Sequence, residues 1–354
     1  MNDALALTDA GLYCAAGDFY IDPWLPVPRA LITHAHGDHA RGGSARYLAA
    51  QPSMSVLRQR LGDVALDTLA YGARIRIRDT TVSLHPAGHV LGSAQVRIEH
   101  RGETWVISGD YKLAPDPTCD AFEPLRCETF VTESTFGLPI YRWTEPRNVI
   151  DDIAAWWQRN AAAGRASMLY AYAFGKAHRI ETELAAAGAL DIGPLVVHGA
   201  IASLNAAYRA AGVLVPIGQR VTETDKSSLR RALVLAPPSA AGSPWLRRFG
   251  DFSDGLASGW MQVRGARRRR ALDRGFVLSD HADWPALDTA ISATGAERVI
   301  VTHGHVPVMV RWLNERGWRA QAFETEFDDE GEADALPVPA APVSAAGAAD
   351  AAVE

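Results

Sequence analysis

The chain has 354 residues, 48% hydrophobic and 21% charged, with a formal net charge of −6 and three cysteines. That is ordinary for a globular protein with room for one large or two mid-sized cores, and no apolar run approaches the eighteen or so residues of a helical membrane span. The first residues, MNDALALTDAGLYC, lack the basic start and apolar stretch of a signal peptide, and Cys14, Cys119 and Cys127 form no CxxC pair, so a reducing cytoplasm is expected and a disulfide framework is not.

The first 135 residues read as short strands broken by turns. RALITHAH (29–36) runs from apolar into polar, like a buried strand opening into a loop. RIRIRDTTVSLHPAGH (74–89) alternates with period two, and AQVRIEHRGETWVISGD (94–110) reads as two strands around a His-Arg-Gly turn. CETFVTEST (127–135) is another apolar strand with a polar end. Each strand delivers polar residues at one end, which is how sites form in loops on a rigid sheet.

From about Arg147 the texture changes to alternating helices and strands, as in a parallel α/β unit. Residues 147–166 and 175–189 have helical period, while SMLYAYAF (167–174), PLVVHGA (194–200) and RALVLAPPS (231–239) read as strands. Of the adjacent Trp156 and Trp157, about 100° apart on a helix, at least one is expected in the core. Residues 275–317 read as strand, loop, helix, strand, loop, helix, with both strands ending in histidine-bearing loops. The last 28 residues, 327–354, are rich in Ala, Pro and acid and are expected to be disordered. Residues 321–354 carry nine acidic and no basic residues, so the rest of the chain holds 35 basic against 32 acidic. The basic residues cluster in VRGARRRRALDR (263–274), a pattern shared by solvated surface and by a phosphate-backbone footprint.

Chemistry concentrates in ITHAHGDHARGG (32–43), where His34, His36, Asp38 and His39 form H-x-H-x-D-H. Imidazole and carboxylate donors suit zinc, and also Mn²⁺ or Fe²⁺. Gly37 is expected to let the backbone turn where a side chain would crowd the metals. Further donors stand at strand ends: His89 in HPAGHVLGSAQ, preferred to His85; Asp110 in VISGDYK; His303 in VIVTHGHV, preferred to His305. Five histidines and two aspartates suffice for two ions with open positions, Asp110 bridging.

With these residues in view the chain resembles the metallo-β-lactamase fold, through HAHGDH, GHVLGSA and SGD. TEST (132–135), FGKAHRI (174–180), LSDHADW (278–284) and VTHG (301–304) narrow the resemblance to the β-CASP nucleases. It is closest to the bacterial ligase-associated DNA exonucleases, relatives of Artemis-type DNA nucleases and of RNA 3′-end processing endonucleases. The resemblance spans roughly residues 10 to 325. It implies an α/β chain: a metallo-β-lactamase αββα sandwich from residues 1–146 and 269–326, with an inserted α/β β-CASP domain at 147–268.

Carried over by position, the resemblance implies that His34, His36 and His89 hold one divalent ion. Asp38, His39 and His303 hold the other, with Asp110 shared; the ions are zinc, with Mn²⁺ as the alternative. Asp22 in YIDPW orients a ligand histidine, and Asp38, Glu133 and His281 carry the catalysis. Lys176 at a helix start, with Arg264, Arg267, Arg268, Arg269 and Arg270, are candidate nucleic-acid contacts. The expected activity is exonucleolytic hydrolysis of DNA from the 5′ end, in repair beside an ATP-dependent DNA ligase and a helicase. A monomer is expected, with no membrane partner. An RNA-processing nuclease is the alternative, because a histidine at the last motif is typical of that branch. A small-molecule metallohydrolase or an inactive scaffold are more distant readings.

Overall fold

The structure, a computed structural model, describes residues 4–216, 218–263 and 272–323. In chain order the first sheet comprises β1 (Ala6–Thr8), β2 (Gly11–Cys14), β3 (Phe19–Ile21), β4 (Ala30–Ile32), β5 (Tyr47–Ala50) and β6 (Leu66–Leu69), side by side in that order. β7 (Arg74–Ile77), β8 (Thr80–Pro86), β9 (Ala94–His100) and β10 (Glu103–Ile107) then form an antiparallel meander. β11 (Thr129–Ser134) pairs parallel to β10.

There the chain leaves the second sheet and builds a third. It contains β12 (Ala166–Tyr170), β13 (Leu195–Val197), β14 (Gln219–Arg220), β15 (Leu233–Ala236), β16 (Phe252–Ala257) and β17 (Arg274–Phe276). Every pairing in it is parallel, in the order β14-β13-β15-β12-β16-β17. The chain then returns: β18 (Arg298–Gly304) pairs with β11 and β19 (Arg319–Ala322) with β18, both in parallel register. β17 lies in the stretch assigned by resemblance to the returning part of the first unit, 269–326, yet it pairs with β16 of the third sheet.

The sequence patterns explain the layers. The first two sheets share one core, Leu12, Phe19, Ile21 and Leu31 from one facing Val82, Leu84, Val96, Ile98 and Val131 from the other. Helix Met54–Leu61, which the sequence pattern did not signal, covers the outer face of the first sheet with Val56 and Leu57. Helices Trp284–Thr294 and Val306–Glu315 cover the second sheet with Leu287, Ile291, Met309 and Leu313. β11 is therefore sandwiched, and all six of its residues are buried. The edge strand β7 instead alternates Arg with Ile and keeps its arginines outward, a common guard against edge pairing. On the third sheet, helices Pro146–Ala162 and Lys176–Ala186 pack on β12 and β15, with both Trp156 and Trp157 buried. No described helix is long and apolar enough to cross a membrane.

Candidate metal centre and active site

The strands deliver their donors to one edge. β4 ends at Ile32 and hands His34, His36, Asp38 and His39 to the following loop; β10 ends at Ile107 and hands over Asp110; β18 carries His303. Gly109 sits at φ +56°, where a Cβ would come within 2.8 Å of the Thr33 side chain, so only glycine lets Asp110 approach the loop. Gly88, before His89, has φ +75°, and a Cβ there would meet the Lys112 carbonyl at 2.2 Å. Gly37, by contrast, is not among the residues with positive φ; a side chain there would approach Arg60 instead.

Asp110 is the hub. Its Oδ2 lies 3.4 Å from His34 Nε2, 3.5 Å from His39 Nε2 and 3.8 Å from His89 Nε2, and its Oδ1 lies 2.9 Å from His303 Nε2. Asp38 Oδ2 is 3.6 Å from His39 Nε2, and His36 Nδ1 is 3.1 Å from His89 Nε2. Ligand atoms of His34, His36, His89 and Asp110 lie within 4.8 Å of one another. The five histidines expected as ligands therefore gather around the Asp110 carboxylate, and Asp38 stands beside one of them, His39. Among the described residues His34 Nε2 is buried without a hydrogen-bond partner and faces Asp110, an expensive arrangement unless another atom occupies the space. This fits a divalent ion, and the nitrogen-oxygen donor set suits zinc or manganese.

Electrostatics agree with that fit. Burial, together with the neighbouring His39, holds His34 well below the ordinary histidine range, in the neutral form that ligates metals. Burial raises Asp110, but His39 and His303 more than offset it and hold the carboxylate well below its ordinary range. Outer contacts fix the rings. His39 Nδ1 donates to Asp22 Oδ2 at 2.8 Å, and Asp22 also accepts from the Thr33 amide at 2.7 Å. His89 Nδ1 donates to the Asp280 carbonyl at 2.8 Å. In each case the other nitrogen is left facing the centre.

Glu133 and His281 form a second pair at the same place. His281 Nδ1 lies 2.9 Å from Glu133 Oε2, and Glu133 Oε1 accepts from the Tyr111 amide at 2.7 Å. Both are buried, and the His281 ring lies 4.6 Å from that of His89. His85 stands apart, paired with Glu123 at 3.2 Å, and His305 stacks on Tyr141 with ring centres 5.9 Å apart.

Lys176 does begin a helix, but it is only 1% exposed and its ammonium lies 3.6 Å from Asp280, so it is not presented on the surface to a phosphate. Arg264, Arg267, Arg268, Arg269 and Arg270 lie outside the described residues, as does 327–354. Sequence reasoning missed the buried ionic cluster behind the centre. Lys112 reaches Asp116 at 2.6 Å, Arg179 lies 3.7 Å from Asp116 and 3.8 Å from Asp280, and Arg179 Nη1 donates to the Ser279 carbonyl at 3.1 Å. The local signals were the four-residue spacings of Lys112 with Asp116 and of Arg179 with Glu183, which pair at 2.6 Å and 2.7 Å.

No family model matches the chain. It is 30% identical over 317 residues to a probable DNA ligase from Opitutus terrae, covering 88% of this chain and 30% of that protein. It is 26% identical over 160 residues to the endoribonuclease YSH1 of Eremothecium gossypii, covering 44% of this chain and 20% of that protein. The chain thus spans less than a third of the length of the curated relatives it matches. A crystal structure of a protein of unknown function from Enterococcus faecalis aligns with a TM-score of 0.53 at 13% identity, over 77% of this chain and 74% of that one.

Proposed function

We propose, from the premise that the chain fits the ligase-associated β-CASP nucleases, that it is a two-metal phosphodiesterase acting on DNA as an exonuclease from the 5′ end. In this reading the first two sheets and their helices are the metallo-β-lactamase αββα sandwich, at 1–146 and 269–326. The third sheet is the inserted β-CASP domain, at 147–268 and extended through Phe276 by β17. The observation that carries the reading is the convergence of five histidines on Asp110, with Asp38 beside His39 and the Glu133–His281 pair next to them. The similarity of most of this chain to part of a probable DNA ligase supports DNA as substrate and work alongside a ligase; the helicase and the ATP dependence of that ligase rest on the resemblance alone.

His34, His36 and His89 would hold one divalent ion, and Asp38, His39 and His303 the other, with Asp110 shared. When bound, such ions supply Lewis acidity toward water and toward the phosphate oxygens. The remaining steps belong to the chain. Asp22 and the Asp280 carbonyl fix the tautomers of His39 and His89. Asp38 and Asp110 place negative charge where a proton leaves the attacking water. Glu133 accepts from His281 Nδ1 and so directs Nε2 away from itself. Nε2 is then placed to give a proton to the leaving oxygen as a general acid.

The test offers purified protein single- and double-stranded DNA and RNA labelled at either end, with Zn²⁺ or Mn²⁺. Stepwise release from the 5′ end of DNA is expected. The similarity to an endoribonuclease, together with His303, favours RNA as the second reading, and preferential RNA cutting would install it. Metal-loaded protein that cuts neither polymer would end both.

A further inference from the structure

The ionic cluster behind the centre joins parts of the chain that are far apart in sequence, and the hydrolysis proposed above gives it no task. Helix Lys176–Ala186 packs in the third-sheet core and starts against the metal site. Gly175, at φ +89°, allows that approach, because a Cβ there would come within 2.4 Å of Val90 Cγ1, next to His89. One turn into the helix, Arg179 is 1% exposed and reaches two segments of the site. Its Nη1 donates to the Ser279 carbonyl at 3.1 Å and lies 3.8 Å from Asp280 Oδ1, while its Nε lies 3.7 Å from Asp116. Lys176 lies 3.6 Å from the other Asp280 oxygen.

Those segments carry the reacting groups. The Asp280 carbonyl accepts from His89 Nδ1 at 2.8 Å, and the His281 amide donates to Ser279 Oγ at 3.0 Å. Residues 279–281 therefore direct one metal-facing imidazole through a main-chain carbonyl and carry the proposed acid, His281, on the same stretch. On the other side, Asp116 holds Lys112 at 2.6 Å, two residues beyond Asp110. The Lys112 amide donates to the Ala87 carbonyl at 3.1 Å, two residues before His89. A planar guanidinium with donors in a fixed fork can hold a carbonyl and two carboxylates at once, which an ammonium cannot. A buried ionic cluster stabilises a fold little better than apolar residues of the same volume. What this one fixes is the placement of residues 279–281 against residues 87–89 and 110–116.

We propose that Arg179 is a positioning residue for His89 and His281, acting through Asp280 and the Ser279 carbonyl. The third-sheet unit then completes the site from behind, through one side chain, as well as standing beside it. The inference deepens the nuclease reading and rests on it for the step that is slowed.

The test compares Arg179→Ala, Arg179→Lys and Asp280→Asn with wild type in the full chain. Asp280→Asn keeps the carbonyl that His89 uses and removes the charge that Arg179 and Lys176 face. Leu184→Ala is the control: it empties space in the third-sheet core from the same helix without touching residues 279–281. All are measured at a temperature where circular dichroism shows each of them folded. Two quantities are read: kcat and KM on labelled DNA with Mn²⁺, and the visible absorption spectrum of the cobalt-substituted protein, which reports ligand geometry without turnover. Arg179→Ala and Asp280→Asn should each lower kcat about 10–100-fold, the scale for an outer partner of a ligand histidine, with KM close to wild type. Both should also displace the cobalt spectrum. Arg179→Lys should recover part of each effect, and Leu184→Ala should show neither. If Arg179→Ala stays folded but matches Leu184→Ala in either quantity, the inference is overturned and the nuclease reading stands. Should Arg179→Ala not fold, Asp280→Asn and Arg179→Lys decide by the same comparison. Wild type that cuts no polymer removes the nuclease reading, and the cobalt spectra then decide on Arg179 alone.

Discussion

His303 Nε2 lies 2.9 Å from Asp110 Oδ1, a contact between residues 193 positions apart. β18 reaches that point only because the chain closes the third sheet first and then returns to pair with β11. Asp110 is therefore where the two ends of the fold meet, and it faces the imidazoles of His34, His39 and His89 as well. Asp110→Asn keeps the volume and removes the charge. Metal content measured by plasma mass spectrometry should fall below that of wild type and cleavage should be lost. Full metal content with near-normal cleavage in that variant would rule out the shared-ligand assignment.

Glu133 touches His281 and a backbone amide, and in the proposed reading it positions the imidazole. Glu133→Gln can offer an amide N–H to His281 Nδ1 in place of an acceptor and so favours the wrong tautomer. Loss of a general acid typically costs about 10²–10⁴ in rate. The expected outcome is a kcat drop in that range, with KM and metal content close to wild type and the acidic limb of the pH–rate profile displaced. A variant with reduced metal content and an unmoved pH profile would make Glu133 a structural residue.

Asp22 holds His39 at 2.8 Å from a backbone position with φ 43°, which Asn tolerates better than most residues. Asp22→Asn should therefore fold but weaken metal affinity by about 10–100-fold, the usual scale for an outer partner of a ligand histidine. Competition with a chromophoric chelator reads this directly, and unchanged affinity would remove Asp22 from the site.

The donors were legible because their spacing is local. H-x-H-x-D-H puts four of them within six positions, and a strand followed by Gly-Asp or a histidine-bearing loop marks the others. The Glu133–His281 pair was legible only through resemblance, since nothing in either stretch says that residues 148 positions apart will meet. Lys176 shows the opposite limit. A helix start beside a glycine reads as surface, but the charge that buries it comes from Asp280, more than a hundred positions downstream. β16, FSDGLA, was missed because Asp254 and Gly255 are poor strand formers, and parallel pairing on both sides outweighs that propensity. Helix Met54–Leu61 gave no signal because it has only Val56 and Leu57 buried, too few to set a period.

The ionic cluster behind the centre makes a stability prediction. Burial raises the Asp116 carboxyl, but Lys112 and Arg179 reverse that and lower it to about 2. A depressed carboxyl stabilises the fold above its unfolded value, 3.8, and that contribution disappears as pH falls toward about 2. Arg179→Ala leaves Asp116 and Asp280 short of a cation in a buried setting, which typically costs about 3–5 kcal/mol. Denaturant unfolding at pH 7 should show a loss of that order, shrinking as pH drops below about 4. A loss that stays constant down to pH 2 would mean that packing, not charge, is what Arg179 contributes.

Glu181 should give the opposite dependence. It lies on helix Lys176–Ala186, fully buried, and among the described residues neither carboxyl oxygen has a hydrogen-bond partner. The space around it is tight, since a Cβ on Gly218 would come within 2.9 Å of Oε1. Burial alone raises its pKa from 4.5 to about 8, so the folded protein carries it protonated at neutral pH. For a raised carboxyl the contribution is fully present below 4.5, where both states are protonated. It is lost progressively as pH rises to about 8, because the unfolded chain ionises freely and the folded one does not. At about 1.4 kcal/mol per unit of separation, the loss across the window is on the order of a few kcal/mol. Glu181→Gln has no proton to lose and nearly the same shape. Its melting temperature should match wild type near pH 4.5 and exceed it by several degrees at pH 8, with a flatter profile between. Parallel profiles for the two proteins would mean that Glu181 ionises in the folded state without penalty.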